Sequence, residues 1–414
     1  MKYRPVEKDY LDRCHSLVVL GGTFDPIHMG HIAIAEAVYN EIKPQRVLFM
    51  PCGQPPHKYE HQRVTHAKHR LHMAALAACE HPAFDLSALE INRPGLSFTI
   101  DTARALTALC PDGAKISFVI GADAFEDILK WKDADELLKT CKFIVVPRPG
   151  YESAKAMAQI EILTESHGGS FHWLEIPLKD ISSTDIRERL KAGKSVQGLV
   201  PKWVEDYAHF HGLYRSEVPF NKAQMGERFK EATESLRIRL SPKRFKHTMG
   251  VIEEANRLAA HYSLDIEKAR WAALLHDCAK EYSTHKKHTL CKLWRIEVDE
   301  VLAANIDVAH SLLGAESARR DFLIDDEEIL QAIRYHTTGY KTMTMLDKVI
   351  MLADFIEPGR DNWGPLKEMR ELSLININEA LILGIKATIK EKKSDRQPIH
   401  PWSLAALKTL KKQK

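Results

Sequence analysis

The chain has 414 residues, with 59 Lys and Arg against 56 Asp and Glu, for a formal net charge of +3. That length is too great for one ordinary domain and suits two or three, while the near-balanced charge argues against a nucleic-acid surface. The first thirteen residues are charged and no run of about 18 apolar residues follows, so neither secretion nor membrane insertion is expected and the sequence reads as cytoplasmic. Seven cysteines without a C-x-x-C pair read as reduced thiols rather than a disulfide or zinc framework, and the 21 histidines are the compositional oddity.

In chain order, residues 16–214 alternate short β-branched runs with amphipathic stretches. The pattern predicts strands over 16–20, 46–50, 115–120, 142–146 and 171–175, with helices over 29–42, 65–79, 99–109, 122–129, 183–191 and 200–209. This is the texture of a parallel α/β sheet with crossover helices, a Rossmann-like fold. The first strand runs into Gly21-Gly22-Thr23-Phe24-Asp25-Pro26-Ile27-His28-Met29-Gly30-His31. In such sheets the first strand-to-helix turn handles phosphate, because glycine lets backbone amides approach an anion and the next helix points its positive end at it. His28 and His31, three apart at the helix start, are placed to lean over one ligand. No Gly-Lys-Ser/Thr follows and the G-x-G-x-x-G spacing is missing, so the turn is neither a Walker loop nor a dinucleotide fingerprint.

Residues 215–226 read as a polar connector, dividing the chain into 1–214 and 227–414. Beyond it apolar residues recur at helical spacing with no strand alternation, so the second half is expected to be all-α. It carries His247, the pair His276-Asp277, His310, His336 and Asp354, set among leucines and alanines. Imidazoles and carboxylates in such surroundings are costly unless they are partnered, and metal coordination is the common solution. Mixed nitrogen and oxygen ligands suit iron, manganese, cobalt or zinc better than magnesium or calcium. Asp347, seven residues before Asp354, is a rival ligand, and Lys280 and Arg360 read either as surface cations or as phosphate contacts.

The first-half motif resembles the H-x-G-H nucleotidyltransferases, and its wording is similar to that of nicotinate mononucleotide adenylyltransferases. Further strings agree: Pro55-Pro56-His57-Lys58, Leu96-Ser97-Phe98-Thr99-Ile100-Asp101-Thr102, Gly121-Ala122-Asp123 ahead of Trp131, Arg148-Pro149-Gly150-Tyr151, and Ile181-Ser182-Ser183-Thr184-Asp185-Ile186-Arg187. The resemblance implies that Gly21, Gly22, Thr23, Phe24, His28, His31, Ser182, Ser183, Thr184 and Arg187 hold ATP, which brings Mg²⁺. It implies that Ser97, Thr99, Asp123, Trp131 and Arg148 hold nicotinate mononucleotide, and that His28, His31, Lys58 and Arg187 stabilise the transfer. Asp123 reads equally as a helix cap, Arg148 as a solvated cation, and Phe98 stands where the family usually has tyrosine. The second-half pattern resembles the two-metal branch of the HD phosphohydrolases, in particular the bacterial hydrolases of diadenosine tetraphosphate. That resemblance implies two divalent metals, iron foremost, on His247, His276, Asp277, His310, His336 and Asp354, with Asp277 bridging them. A nucleotide-sensing HD domain without catalysis is the alternative, and a homo-oligomer stays open.

Overall fold

In the computed structural model, residues 11–54, 64–147, 153–176, 181–214, 225–360 and 363–413 are described. They belong to two units, Met1–Val218 and Pro219–Lys414.

The first unit is built on six parallel strands, β1 (Ser16–Gly22), β2 (Arg46–Pro51), β3 (Phe84–Leu86), β4 (Lys115–Gly121), β5 (Lys142–Val146) and β6 (Ser170–Trp173), in the order β3-β2-β1-β4-β5-β6. The expected parallel sheet is present, with one short edge strand, β3, that the sequence pattern did not show. Helices cover both faces of such a sheet, so its strands are apolar throughout rather than alternating. Leu17 and Val19 of β1 join Leu48, Met50, Phe118, Ile120, Phe143 and Val145 in one core layer, and Val18 and Leu20 are equally buried on the opposite face. The chain leaves β1 towards β2 on one side and β4 on the other, so the carboxyl ends of β1 and β4 flank the point where strand order reverses. Ligands bind at that crevice in open α/β sheets.

The second unit is helical over its described residues, as expected, and its first helix, Met225–Arg239, starts inside the stretch read as a connector. Helix starts are marked by side-chain caps: Ser241 ahead of Pro242–His261, Asp265 ahead of Ile266–Leu275, Asp326 ahead of Glu327–Tyr335, and Thr344 ahead of Met345–Ile356. Each cap oxygen accepts a backbone N–H that the helix leaves unpaired. Asp347 belongs to the last of these, accepting from the Thr344 N–H at 2.7 Å and from Gln331 Nε2 at 2.8 Å. The rival ligand is thus a capping residue, fixed away from the Asp354 end of its helix. The seven cysteines are free thiols, and no described helix is long and apolar enough to cross a membrane.

Candidate functional site

At the end of β1, Gly21 and Gly22 are still strand residues and neither has a positive φ; that conformation falls instead on Phe24, at 51°. The expected glycine turn is therefore a glycine strand end. A Cβ on Gly22 would lie 2.8 Å from the Phe24 ring, whereas one on Gly21 would meet no atom within 4 Å. Gly22 is there to admit Phe24, and Gly21 leaves open space over the strand end. Phe24 is 1 % exposed and packs edge-on to His31 at 4.9 Å, so its side chain props an imidazole, and only its backbone can reach a nucleotide.

His28 and His31 come together at the start of helix Met29–Ile42, with ring centroids 3.7 Å apart. The His28 backbone N–H donates to His31 Nδ1 at 3.2 Å. In the neutral ring that bond places the His31 proton on Nε2, which makes Nε2 a hydrogen-bond donor. His28 Nδ1 is buried without a hydrogen-bond partner, and burial pushes this imidazole down to about 4. A side chain on Gly30 would press to 3.0 Å from that nitrogen. The Met29 N–H is already taken by Leu199 O at 2.8 Å, so the helix end presents fewer open amides than the motif suggests.

The 181–187 segment docks on this loop. Ser182 caps helix Ser183–Lys191 by accepting from the Asp185 N–H at 3.0 Å, Ser183 Oγ donates to Pro26 O at 3.0 Å, and Arg187 donates to Asp25 O at 2.7 Å and Thr184 Oγ1 at 3.1 Å. Beside the crevice, at the end of β4, a cavity of about 440 Å³ is lined by Ser97, Phe98, Thr99, Asp123 and Trp131 among others. Four residues chosen from two separate strings thus share one pocket. Asp123 lies in the first turn of Ala122–Glu126, whose cap position is Gly121, so the cap reading is corrected. Lys58 and Arg148 lie outside the described residues.

In the second unit the six chosen residues converge. His276 and His336 each follow the last turn of a helix and His310 opens one; their Nδ1 atoms bond backbone carbonyls three residues back, Ala273 O at 2.7 Å, Ile333 O at 2.8 Å and Asp307 O at 2.6 Å. Each such bond fixes the proton on Nδ1 and turns the Nε2 lone pair inwards. The three Nε2 atoms surround the Asp277 carboxylate, at 3.6 Å for His276, 3.2 Å for His310 and 3.6 Å for His336. His247 Nε2 stands 3.1 Å from Asp354 and 3.8 Å from Asp277. Two sets result, His247-His276-Asp354 and His276-Asp277-His336, each with ligand atoms within 4.8 Å of one another. Burial works to raise the Asp277 carboxyl, yet the imidazoles of His276 and His310 hold it well below the usual carboxylate range; burial itself pushes His276 and His310 down to about 4.

Whether these residues fit metal ions is answered by their unused atoms. The Nε2 atoms of His247 and His276 are buried with no hydrogen-bond partner, a costly state for two imidazole lone pairs aimed at carboxylates. Nitrogen and oxygen donors presented in this way fit divalent transition metals.

The cytidylyltransferase-like family model matches residues 19–189, and the HD domain model matches residues 244–359. A protein of Thermoanaerobacter sp. named a probable nicotinate-nucleotide adenylyltransferase is 41% identical over 207 residues, 50% of this chain and 98% of its own length. One of the same name from Thermus thermophilus is 41% identical over 197 residues, 48% of this chain and 98% of its own. The chain belongs to the nicotinate-nucleotide adenylyltransferase family through its first half and carries an HD domain in its second. A crystal structure from Clostridium acetobutylicum, of a predicted HD superfamily hydrolase involved in NAD metabolism, is 37% identical, covers 45% of this chain and 98% of its own, and has a TM-score of 0.44.

Several supporting residues in both halves have no signature in sequence spacing, whereas Lys280 and Arg360 were already candidates from the sequence. In the adenylyltransferase half, Arg70 is 1 % exposed and donates to Thr65 O, Thr23 O, Cys52 O and Gly53 O at 2.7–3.0 Å, tying the loops after β1 and β2 together. In the HD domain, His247 Nδ1 donates to Glu357 at 3.1 Å, the carboxylate-histidine pairing that orients metal-bound imidazoles. Thr337 Oγ1 lies 3.1 and 3.0 Å from the Nε2 atoms of His310 and His336. Arg244 bonds Asp277 at 2.7 Å and Arg360 bonds Asp354 at 2.9 Å. Lys280 Nζ lies 3.4 Å from His310 Nδ1, whose proton is directed at Asp307 O, so this half-buried ammonium finds no acceptor at that nitrogen. The polar residue before a motif histidine, or the acid after a motif aspartate, was a weak clue to Arg244 and Glu357.

Proposed function

We propose that the first half transfers the adenylyl group of ATP to nicotinate mononucleotide, giving nicotinate adenine dinucleotide and pyrophosphate. The observation that carries this reading is the pair of subsites flanking the sheet's switch point, the His28–His31 pair at β1 and the Ser97-Thr99-Asp123-Trp131 cavity at β4. A 5′-phosphate oxygen of the mononucleotide attacks the α-phosphorus of ATP, the bond to the bridging oxygen breaks, and pyrophosphate leaves. Such a transfer needs positioning and charge stabilisation rather than a covalent nucleophile. His31 Nε2–H donates to the α-phosphate, neutral His28 offers its one N–H beside it, and Arg187, with Lys58 of the neighbouring motif, offsets triphosphate charge. Ser182, Ser183 and Thr184 hold the far side of ATP, and Mg²⁺ enters on the phosphates as part of the substrate. The relatives named above support nicotinate mononucleotide as acceptor. Assaying the chain with nicotinate mononucleotide, nicotinamide mononucleotide, phosphopantetheine and glycerol phosphate tests this, and preference for either of the last two overturns it.

We infer that the HD domain hydrolyses dinucleoside polyphosphates, diadenosine tetraphosphate and water giving two ADP. His247, His276, Asp277, His310, His336 and Asp354 would hold two divalent cations, iron foremost, with manganese, cobalt or zinc as alternatives. Bound there, they supply Lewis acidity towards phosphate oxygens. The chain's own residues keep the lone pairs aimed inwards, exclude water from the histidine side, and bring Lys280, Arg244 and Arg360 to the phosphates. A sensing role for the domain predicts no bound metal and no hydrolysis after iron or manganese is added; metal analysis with an ADP-release assay separates the two readings.

A further inference from the structure

Arg360 connects the HD cluster to a second cavity. Its guanidinium bonds Asp354 Oδ1 at 2.9 Å, and the same side chain lines a space of about 440 Å³ with Trp363, Lys367, Arg370 and Glu371. Among the described lining residues three cations face one acid. Arg370 donates to Ile356 O at 3.1 Å, Glu357 O at 2.8 Å and Arg360 O at 3.2 Å, so it fixes the loop that carries Arg360 while, among the described residues, its charge meets only carbonyls. Lys367 is exposed and makes no ion pair with another described residue. Trp363 is half-buried, with its ring stacked on Phe355 at 5.3 Å and 8° and its Nε1–H donating to Glu391 at 3.4 Å. The indole is therefore held as a fixed platform beside the Arg360 guanidinium, 6.0 Å from its ring centre, at the wall of a recess whose described lining is mainly basic, a combination that suits an aromatic base joined to phosphates.

We propose that this cavity is the subsite for the far nucleoside diphosphate of the substrate, with Arg360 and Lys367 on its phosphate oxygens and Trp363 stacked on its base. The assignment rests on the hydrolase reading and adds to it a reason for preferring two nucleosides joined by a polyphosphate over a mononucleotide: one end meets the metal ligands while the other is gripped here.

The test uses the full chain loaded with metal. Trp363→Ala and Lys367→Glu are each expected to raise KM for diadenosine tetraphosphate roughly tenfold, with kcat changed less than about twofold, since base stacking is worth ~1–3 kcal/mol. Hydrolysis of bis(4-nitrophenyl) phosphate, which has no nucleoside, stays as in the parent. An unchanged KM, or an equal loss on both substrates, overturns the assignment. A binding measurement separates its failure from that of the hydrolase reading: ADP added to the chelator-treated chain quenches tryptophan fluorescence, Trp363→Phe removes part of that quench, and Lys367→Glu shifts that part to roughly tenfold higher ADP. If the parent hydrolyses nothing but the Trp363-dependent quench is present, the subsite stands without the reaction. If Trp363→Phe leaves the quench intact, the subsite falls whatever the activity.

Discussion

His28 and His31 are alike in the motif and different in their surroundings. His31 has its tautomer set by the His28 N–H and its ring braced by Phe24, whereas His28 Nδ1 is buried with no partner. His31→Ala should therefore lower adenylyl transfer by about 10²–10³, the usual effect of removing a preorganised donor, with the circular dichroism spectrum unchanged. Burial also holds His28 and His69 at about 4, below their ordinary 6.5. With the folded value depressed, the unfolded chain binds more protons between pH 6.5 and about 4, so their contribution to stability is present above 6.5 and is lost as pH falls through that window. Urea midpoints of the adenylyltransferase unit should decline across it, and His69→Gln should flatten the decline. In the HD domain, Glu357 accepts from His247 Nδ1 and from the Gly359 N–H at 2.5 Å. Glu357→Gln should weaken metal affinity by about 10–100-fold, as outer partners of ligating imidazoles do, read by competition with a chromogenic chelator.

At the scale of elements, legibility followed how locally each one is determined. Helices Met29–Ile42 and Ser183–Lys191 and strand β5 have the limits the pattern predicts; Ser182 caps the second helix and Lys43, in the left-handed conformation, ends the first. Strand β3 is three residues at a sheet edge, too short to show periodicity, and Ser153–His167 buries only Ala156 and Leu163, too thin an apolar stripe to be read as a helix. The ligands of the HD cluster could be read because they punctuate apolar runs. Arg70 could not, since its partners are four backbone carbonyls drawn from two other loops. Helix Ala67–Ala78 carries it into the space between those loops, and Arg70→Met should leave several buried carbonyls without a donor. The expected result is a loss of about 2–4 kcal/mol in unfolding free energy and a raised KM for ATP as the β1 loop loosens, measured by urea titration and steady-state kinetics.

For the whole molecule, two units with separate cores and separate chemistry mean that a single unfolding free energy does not describe the chain. Ligands that bind one unit should move one transition. Divalent iron or manganese held by the HD cluster stabilises only the fold that assembles His247, His276, Asp277, His310, His336 and Asp354 from five separate helical segments, by about 2.7 kcal/mol at a hundredfold excess over Kd. For a unit of this size that is a shift of roughly 5–10 °C. Differential scanning calorimetry should show the upper or lower of two transitions rise with metal and return with chelator, the other staying within about one degree. Asp277→Ala should abolish the shift and the hydrolysis while leaving adenylyl transfer as in the parent, and His31→Ala should do the reverse. If metal moves both transitions equally, the cations bind outside the cluster and the ligand assignment fails, because nothing in the adenylyltransferase half offers a comparable set of buried lone pairs among its described residues.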